Sequence, residues 1–498
     1  MMEPGRRGPL AYSIIVPFNS SSLSRRAFLA RAAALAAAST VIAGCRRRGT
    51  PAANSTTATP PPAPLHNLDD VGSLATFRPP LPPAEPAIRV RVLRVREAAR
   101  MPWLIGSPGQ WMMANSDSDS ERGGRGQAMQ GPVEFDMTSR GWSIVDGQGF
   151  RAAIGEHDTI EFQLLADEPD GLISLGNGGQ DSRQYRGVIR LVSRHDLDEI
   201  DSKTGAIMRP SHAFDAINDV PLETYLPGVL AGELYAHWKP ETFAAQAVAA
   251  RSFACTEAAI FAGRRHYDVS NTAASQMYLG AVQHDRAHEA VALTRGKMLA
   301  FDGLLVSGYY SSCCGGIAAS ATDAIGSNPV NNVPALHGRE GSDVCTSAPV
   351  YQWTVQQPLE DLIRRLAGYG RERGLRELED LRQLLSIETS ATNPNGRPTR
   401  LALMDQSQQR FEMAAEDFRR AANFSSADGT IKPPDKELRS SNIRASIVGP
   451  TVSFEGYGFG HGVGLCQHGA EALARSGTLH EDILRWYYPG IEIAKSYA

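Results

Sequence analysis

From Phe243 to Phe261 the chain is alanine-rich and nearly uninterrupted in apolar positions. A helix that is apolar all round has no face to offer water, so it belongs inside a protein. Lys239-Pro240-Glu241 reads as its start, because proline fits the first helical turn and glutamate complements the helix dipole. Only a few polar groups interrupt it, Gln246 and Arg251 among them. An isolated buried guanidinium is costly unless paired. Arg251 is therefore expected to face a carboxylate, a carbonyl or a ligand.

The rest of the chain supplies enough apolar material to surround such a helix. Hydrophobic residues make up 42% of the 498 residues and charged residues 21%, as in ordinary globular proteins. At about 150 residues per domain the length suggests two or three domains. Ile88-Arg89-Val90-Arg91-Val92-Leu93 alternates as a strand does, and Phe150–Leu165 and Gly187–Val192 hold similar runs. Asn115–Gln130 is polar and glycine-rich and reads as a long loop. Leu359–Ala367 and Glu372–Leu385 read as amphipathic helices, and Glu416–Asn423 as one more. Ile387–Asp405 reads as a hairpin around Asn393-Pro394-Asn395-Gly396, and Ser425–Glu437 as a polar loop. Thr451–Glu455 returns to strand before a glycine-rich turn and a helix over Ala470–Arg475. Strands and helices mix without regular βαβ alternation. The expected class is α+β: a β-rich N-terminal part over 87–220 and a helix-containing catalytic part over 221–498, sharing one cleft.

The N-terminus reads as an address. Arg25-Arg26 precedes a mildly apolar stretch, Ala27–Gly44, which resembles a twin-arginine signal peptide. It ends in Ile42-Ala43-Gly44-Cys45, which resembles a lipoprotein box, with Cys45 as the lipidated residue. Residues 1–45 are thus expected to be an export signal. Residues 46–86 follow as a tether, with ten prolines between Pro51 and Pro86 favouring extended conformations. The expected product is an exported, membrane-anchored lipoprotein of the cell envelope. A net charge of −4 argues against a general nucleic-acid binder.

Three glycine-marked segments could carry chemistry. One surrounds Glu233. The second is Tyr309-Tyr310-Ser311-Ser312-Cys313-Cys314-Gly315-Gly316. The third, Gly456 to Ala470, has glycine at alternate positions from 456 to 464. That spacing is not the phosphate-cradling pattern, and the glycines instead let backbone approach a ligand or another strand. His461 within it reads equally as a structural histidine bonded to backbone and as a substrate contact.

Together these segments resemble the stage II sporulation protein D family, which includes amidase enhancers. Leu222-Glu223-Thr224-Tyr225-Leu226, Glu233, Pro240-Glu241 and Ala245–Arg251 look like its signature. Ser275–Gly280, Thr294–Leu299, Cys314-Gly315-Gly316, Cys345, Ser347-Ala348-Pro349 and Trp353 follow in order. Gly460-His461-Gly462-Val463-Gly464, Gln467 and Gly469-Ala470 close the series. The resemblance implies a peptidoglycan lytic transglycosylase, which cleaves the bond between N-acetylmuramic acid and N-acetylglucosamine and leaves a 1,6-anhydro end. Stripped glycan strands are the implied substrate, and an amidase a partner. Glu233 matches the family's catalytic glutamate. By context alone it reads first as an exposed loop acid or salt-bridge partner, and the resemblance tips it to catalysis. Gln246 and Arg251 match supporting positions, with internal helix packing as the alternative. Tyr278, Ser311, His461 and Gln467 are further candidate contacts. The alternative function is a non-catalytic peptidoglycan-binding regulator, the amidase enhancer.

The resemblance also bears on the cysteines. Some family members hold zinc with a histidine and two cysteines, and Cys314 and Cys345 match those cysteines. The family histidine falls at Ser311, and His337 is near only along the chain. In an exported protein a Cys314–Cys345 disulfide is the simpler reading and is preferred to zinc, with adjacent Cys313 able to compete. His461, Cys466 and His468 mimic metal spacing, a minority reading. No cofactor is expected to be required.

Overall fold

A computed structural model describes residues 77–498, apart from stretches within 96–212 and residues 427–428. The expected export segment 1–45, with Cys45, lies outside the described residues, as does the tether up to residue 76. Residues 77–86 of the expected tether are docked on the folded body. The Pro79 carbonyl accepts from Leu305 N–H at 2.9 Å, and Ser496 Oγ donates to the Pro82 carbonyl.

The fold is α+β. Ile88 and Val90 of β1 (Ala87–Val95) point inward and are fully buried, as alternation predicts. β2 (Val188–Ser193) alternates likewise. Both pair antiparallel with β3 (Phe214–Pro221), with Val90 opposite Asn218 and Ile189 opposite the same residue. These strands lie in a seven-stranded sheet, in the order Val269–Ser270, β1, β3, β2, Ile160–Leu164, Gln110–Asn115, Gln127–Gln130. A six-stranded antiparallel sheet runs from Arg183–Tyr185 to Arg151–Ile154. Gln127–Gln130 falls within the expected loop 115–130 but pairs with Gln110–Met113. A polar composition hid a strand stabilised by its neighbour.

Beyond Pro221 helices dominate. α1 (Leu222–Glu233) leads into α2 (Pro240–Phe261), whose residues Thr242 to Thr256 are all buried. α3 (Asp285–Leu293) packs on both. α1 was not legible as a helix, because Pro227, Gly228 and Gly232 all disfavour one. Tertiary packing overrides that preference: a Cβ at Gly228 would collide with the Gly280 carbonyl, and one at Gly232 would stand 2.9 Å from the Met277 carbonyl. One hydrophobic cluster runs from Ile88 to Tyr497 and crosses Pro221. The change of secondary structure at that point is not a separation of cores.

A second cluster, from Trp353 to Phe454, has its own core. Its helices are α4 (Leu359–Arg373) and α5 (Ala415–Ala422), packed on the hairpin Leu384–Thr392 and Pro398–Asp405. The expected helix over Glu372–Leu385 is instead the end of α4, a short turn of helix at Arg376–Glu379 and the start of a strand. Gly374, in the left-handed region at φ 69°, terminates α4. The chain then returns to the first core. β4 (Tyr310–Ser311) pairs parallel with β5 (Leu465–Cys466), and α6 (Gln467–Arg475) and α7 (His480–Tyr487) follow.

Candidate active site

Glu233 is the last residue of α1 and is half-buried. The close approach at Gly228 and Gly232 lays the Met277–Gly280 segment along the helix, so that Met277 N–H donates to Glu233 Oε1 at 2.8 Å. The Tyr310 hydroxyl from β4 donates to the same oxygen at 3.3 Å. Gln467 Nε2, at the start of α6, donates to Oε2 at 3.2 Å. Four segments far apart in sequence thus meet on one carboxyl.

Burial pushes the Glu233 carboxyl above the ordinary carboxylate value, and the Met277, Gln467 and Tyr310 donors pull against it. The negative end of the α1 dipole works in the same direction as burial, since it disfavours a carboxylate at a helix C-terminus. No carboxylate is among the described groups that touch Glu233. The arrangement suits one acid that must hold and release a proton near neutral pH.

The parallel pairing of β4 with β5 brings Tyr310 and Gln467 together. Ser311 lies opposite Cys466 in the register. The alternate glycines make this possible by meeting backbone. Gly464, at φ 66°, lies so close to the Tyr309 carbonyl that any side chain would collide with it. Arg397, fully buried, donates to the Cys314, Ile317 and His461 carbonyls and staples both glycine loops to the second core.

The other expected site residues are distributed unevenly. Arg251 is buried and paired with Glu223, with N–O distances of 2.9 and 2.7 Å. It also donates to the Lys297 carbonyl at 3.1 Å. These bonds tie α2 to Glu223 of α1 and to the Lys297 segment. Burial raises the Glu223 carboxyl, but Arg251, Tyr497 and the Gly296 N–H outweigh it and hold the carboxyl below its ordinary value. Tyr278 is buried, its hydroxyl donates to Asn218 at 2.9 Å, and it also lines a cavity along α1. Gln246 is fully buried with neither side-chain polar atom partnered, and Ser311 Oγ likewise lacks a partner. His461 Nδ1 accepts from Val463 N–H at 3.0 Å. Burial pulls its ring down to about 4, which leaves it neutral. Its geometry is that of a structural histidine.

A cavity of about 320 Å³ lies along the first half of α1, lined by Arg186, Thr224, Gly228 and His288, and Glu233 is not part of its lining. Sequence reasoning missed Tyr310 as a Glu233 partner, although it stood inside a marked segment. It also missed Tyr235, half-exposed two residues beyond Glu233. The Tyr235 ring lies 5.2 Å from that of Trp238 and 6.3 Å from that of His468. Its signal was an aromatic two residues after the candidate acid.

The expected Cys314–Cys345 disulfide is not formed. The two sulfurs stand 3.6 Å apart, against about 2.05 Å in a disulfide, and the described cysteines are all free. The zinc implied by the resemblance lacks its histidine. His337 is exposed and bonded to Asn332, and the His461–Cys466–His468 set does not assemble. Instead Cys314, Cys345, Cys466 and Asp343, all buried, offer ligand atoms within 4.8 Å of one another. This sulfur-rich donor set fits a zinc ion.

Residues 210–301, which include Glu233, Gln246, Arg251 and Tyr278, match the family model described as Stage II sporulation protein. An uncharacterized protein of Brachyspira hyodysenteriae is 29% identical over 278 residues, 56% of this chain and 67% of that protein. The amidase enhancer of Bacillus subtilis is 29% identical over 299 residues, 53% of this chain but only 39% of the relative. The stage II sporulation protein D of the same organism is 25% identical over 303 residues, covering 57% and 78%. The order of the motifs, the matched segment and these relatives agree in likening this chain to the stage II sporulation protein D family.

Proposed function

We propose that this protein is a lytic transglycosylase acting on peptidoglycan glycan strands, with Glu233 as its acid and base. The observation that carries the reading is a single half-buried carboxyl, raised by burial and ringed by three donors. Ordinary glycosidases use two carboxylates. A transglycosylase uses the sugar's own C6 hydroxyl as nucleophile, so one group suffices. Glu233 protonates the leaving glycosidic oxygen as that bond breaks. The resulting carboxylate then takes the C6 hydroxyl proton as the 1,6-anhydro bond forms, and the acid is regenerated. Tyr310 and Gln467 hold the carboxyl in position through both steps. In the same proposal the chain is exported and anchored through a lipid on Cys45, and an amidase supplies stripped glycan.

Digestion of stripped and intact peptidoglycan, with anhydro ends read by mass spectrometry, tests this. Glu233→Gln should lower cleavage by about 10²–10⁴-fold. Its fold should persist, because Gln467 can turn its amide to present oxygen to the new side chain. A carboxyl raised by burial costs stability above its unfolded value and nothing below it. The variant should therefore match or exceed the parent in stability near neutral pH. Cleavage unchanged within about threefold would refute the role of Glu233. The relative named amidase enhancer favours a second reading, a glycan-binding regulator. Glycan binding without cleavage by either protein supports that reading.

A further inference from the structure

We infer that the cavity of about 320 Å³ beside α1 binds a carboxylate carried on a methyl-bearing carbon, the 2-substituted propionate of lactyl ethers and alanyl termini. The cavity forms where the β-rich part meets the helices. Arg186 comes from the first, Thr224 and Pro227 from α1, and Ala281 and Val282 from the loop that follows Tyr278. Junctions between packed parts are where small ligands usually bind, and this volume lies at the small end of the range of ligand pockets.

Its walls are held in advance. The fully buried Asn218 side chain donates to the Arg186 carbonyl at 2.8 Å and accepts from the Tyr278 hydroxyl at 2.9 Å. One amide thus sets both the segment that carries Arg186 and the ring that lines the cavity. Gly187, at φ 83°, lies so close to the Asp219 carbonyl that no side chain fits there, and Gly280 meets the Gln184 carbonyl in the same way. Ala281 N–H donates to that Gln184 carbonyl at 2.7 Å. Walls fixed before binding leave less freedom to be lost when a ligand enters.

The lining selects the ligand. Its carboxylate, Glu223, is already paired with Arg251 at 2.7 Å, and His288 Nε2 lies 2.9 Å from the Val282 carbonyl. Arg186 supplies a planar guanidinium with five donors, which can serve a neighbour and a bound carboxylate together. Pro227, Ala281 and Val282 offer apolar surface to a methyl group, and the Thr224 hydroxyl suits the ether oxygen or amide next to it. Gly228 and Thr224 stand five and nine residues before Glu233 on α1, about 7–14 Å along the helix. The Met277–Gly280 segment joins the two places, with Met277 N–H on Glu233 and Gly280 against Gly228. A glycan strand seated at Glu233 would therefore bring a neighbouring muramic acid to the cavity, its lactyl carboxylate free where no stem peptide is attached. That choice of carrier rests on the transglycosylase reading; the carboxylate site does not.

The experiment is a ligand-observed NMR titration of the purified full chain with N-acetylmuramic acid, N-acetylglucosamine and D-alanyl-D-alanine. N-acetylmuramic acid should bind at least about tenfold more tightly than N-acetylglucosamine, which lacks the lactyl group. Arg186→Gln should abolish that preference, and Arg186→Lys should recover part of it. Ala281→Leu fills the cavity without removing a polar group, and it should weaken binding even if Arg186→Gln does not fold. Glu233→Gln should keep the preference, because Glu233 does not line the cavity. Competition by D-alanyl-D-alanine, with the same dependence on Arg186, would support the site and add alanyl termini as a source. Its failure to bind beside a retained muramic acid preference would support the site with the lactyl group as the source. Equal binding of the two sugars with no binding of the dipeptide would overturn the assignment. So would a preference that survives both Arg186→Gln and Ala281→Leu, or one lost in Glu233→Gln. None of these readouts involves cleavage, so they stand apart from the outcome of the digestion.

Discussion

Arg251→Met should be strongly destabilising. The Arg251 guanidinium is fully buried, and Glu223 has only 6% of its side chain exposed. Methionine fills much of the same volume but leaves Glu223 in the core without a cation and Lys297 without its donor. Removing one partner of a buried pair costs about 3–5 kcal/mol. The Tyr497 hydroxyl at 2.6 Å and Gly296 N–H at 3.2 Å still reach Glu223, which places the expected loss near the lower bound, about 3 kcal/mol. The double variant Arg251→Met/Glu223→Leu should recover most of it, because apolar replacement of a whole buried pair is often neutral. The pH dependence has a definite sign. The Glu223 carboxyl is held below its ordinary value, so its contribution is present above the unfolded carboxylate range and is lost as pH falls through the folded value. Without Arg251 the opposition to burial weakens and the carboxyl protonates more readily. The gap between parent and variant should therefore be widest near neutral pH and narrow in acid. Urea unfolding at about pH 7 and about pH 4 measures both. A single variant within about 0.5 kcal/mol of the parent, or a double variant as costly as the two single changes added, would refute the reasoning.

Two further perturbations probe the carboxyl and its approach. Tyr310→Phe removes a donor that stabilises the Glu233 carboxylate. The high-pH limb of the rate profile, where the acid is lost, should move upward while turnover falls about tenfold; a limb that stays put or moves down counts against the assignment. Tyr235→Ala removes a half-exposed ring braced by Trp238 and His468. It should raise KM for glycan by about three- to tenfold with kcat nearly unchanged, and Tyr235→Trp should restore binding.

The parts of the molecule that were legible in sequence are those whose reasons are local. Alternation exposed β1 and β2, the Asn-Pro-Asn-Gly turn exposed the hairpin, and unbroken alanine exposed α2. Arg251 announced its need for a partner, although only the fold named Glu223. What escaped had non-local causes. α1 is a helix against its own composition, because Gly228 and Gly232 are the price of contact with Met277–Gly280. The second core around Trp353 and Phe454 looked like separate surface elements until strand pairing closed it. The surroundings of the cysteines also have non-local causes. Export and the match of Cys314 and Cys345 to family positions suggested a disulfide, whereas the structure adds Asp343 from the same loop and Cys466 through the chain's return along β5.

The geometry at Glu233 also explains why one carboxyl needs so much support. Burial and the α1 terminus favour the protonated form, which the first step of the proposed cleavage requires. If they acted alone, the carboxyl would be a weaker acid and would give up its proton less readily in the proposed reaction. Three donors oppose them, each favouring the carboxylate. The two tendencies bring the protonated and ionised forms closer in energy, and an acid that must become a base within one turnover needs both forms within reach. The donors come from a backbone amide on the 277 segment, a phenol on β4 and an amide at the start of α6. Their balance therefore depends on the registers that join those elements. Changes at Gly464 or Cys466, which touch no substrate in this reading, should be felt at Glu233 through the pairing of β4 with β5.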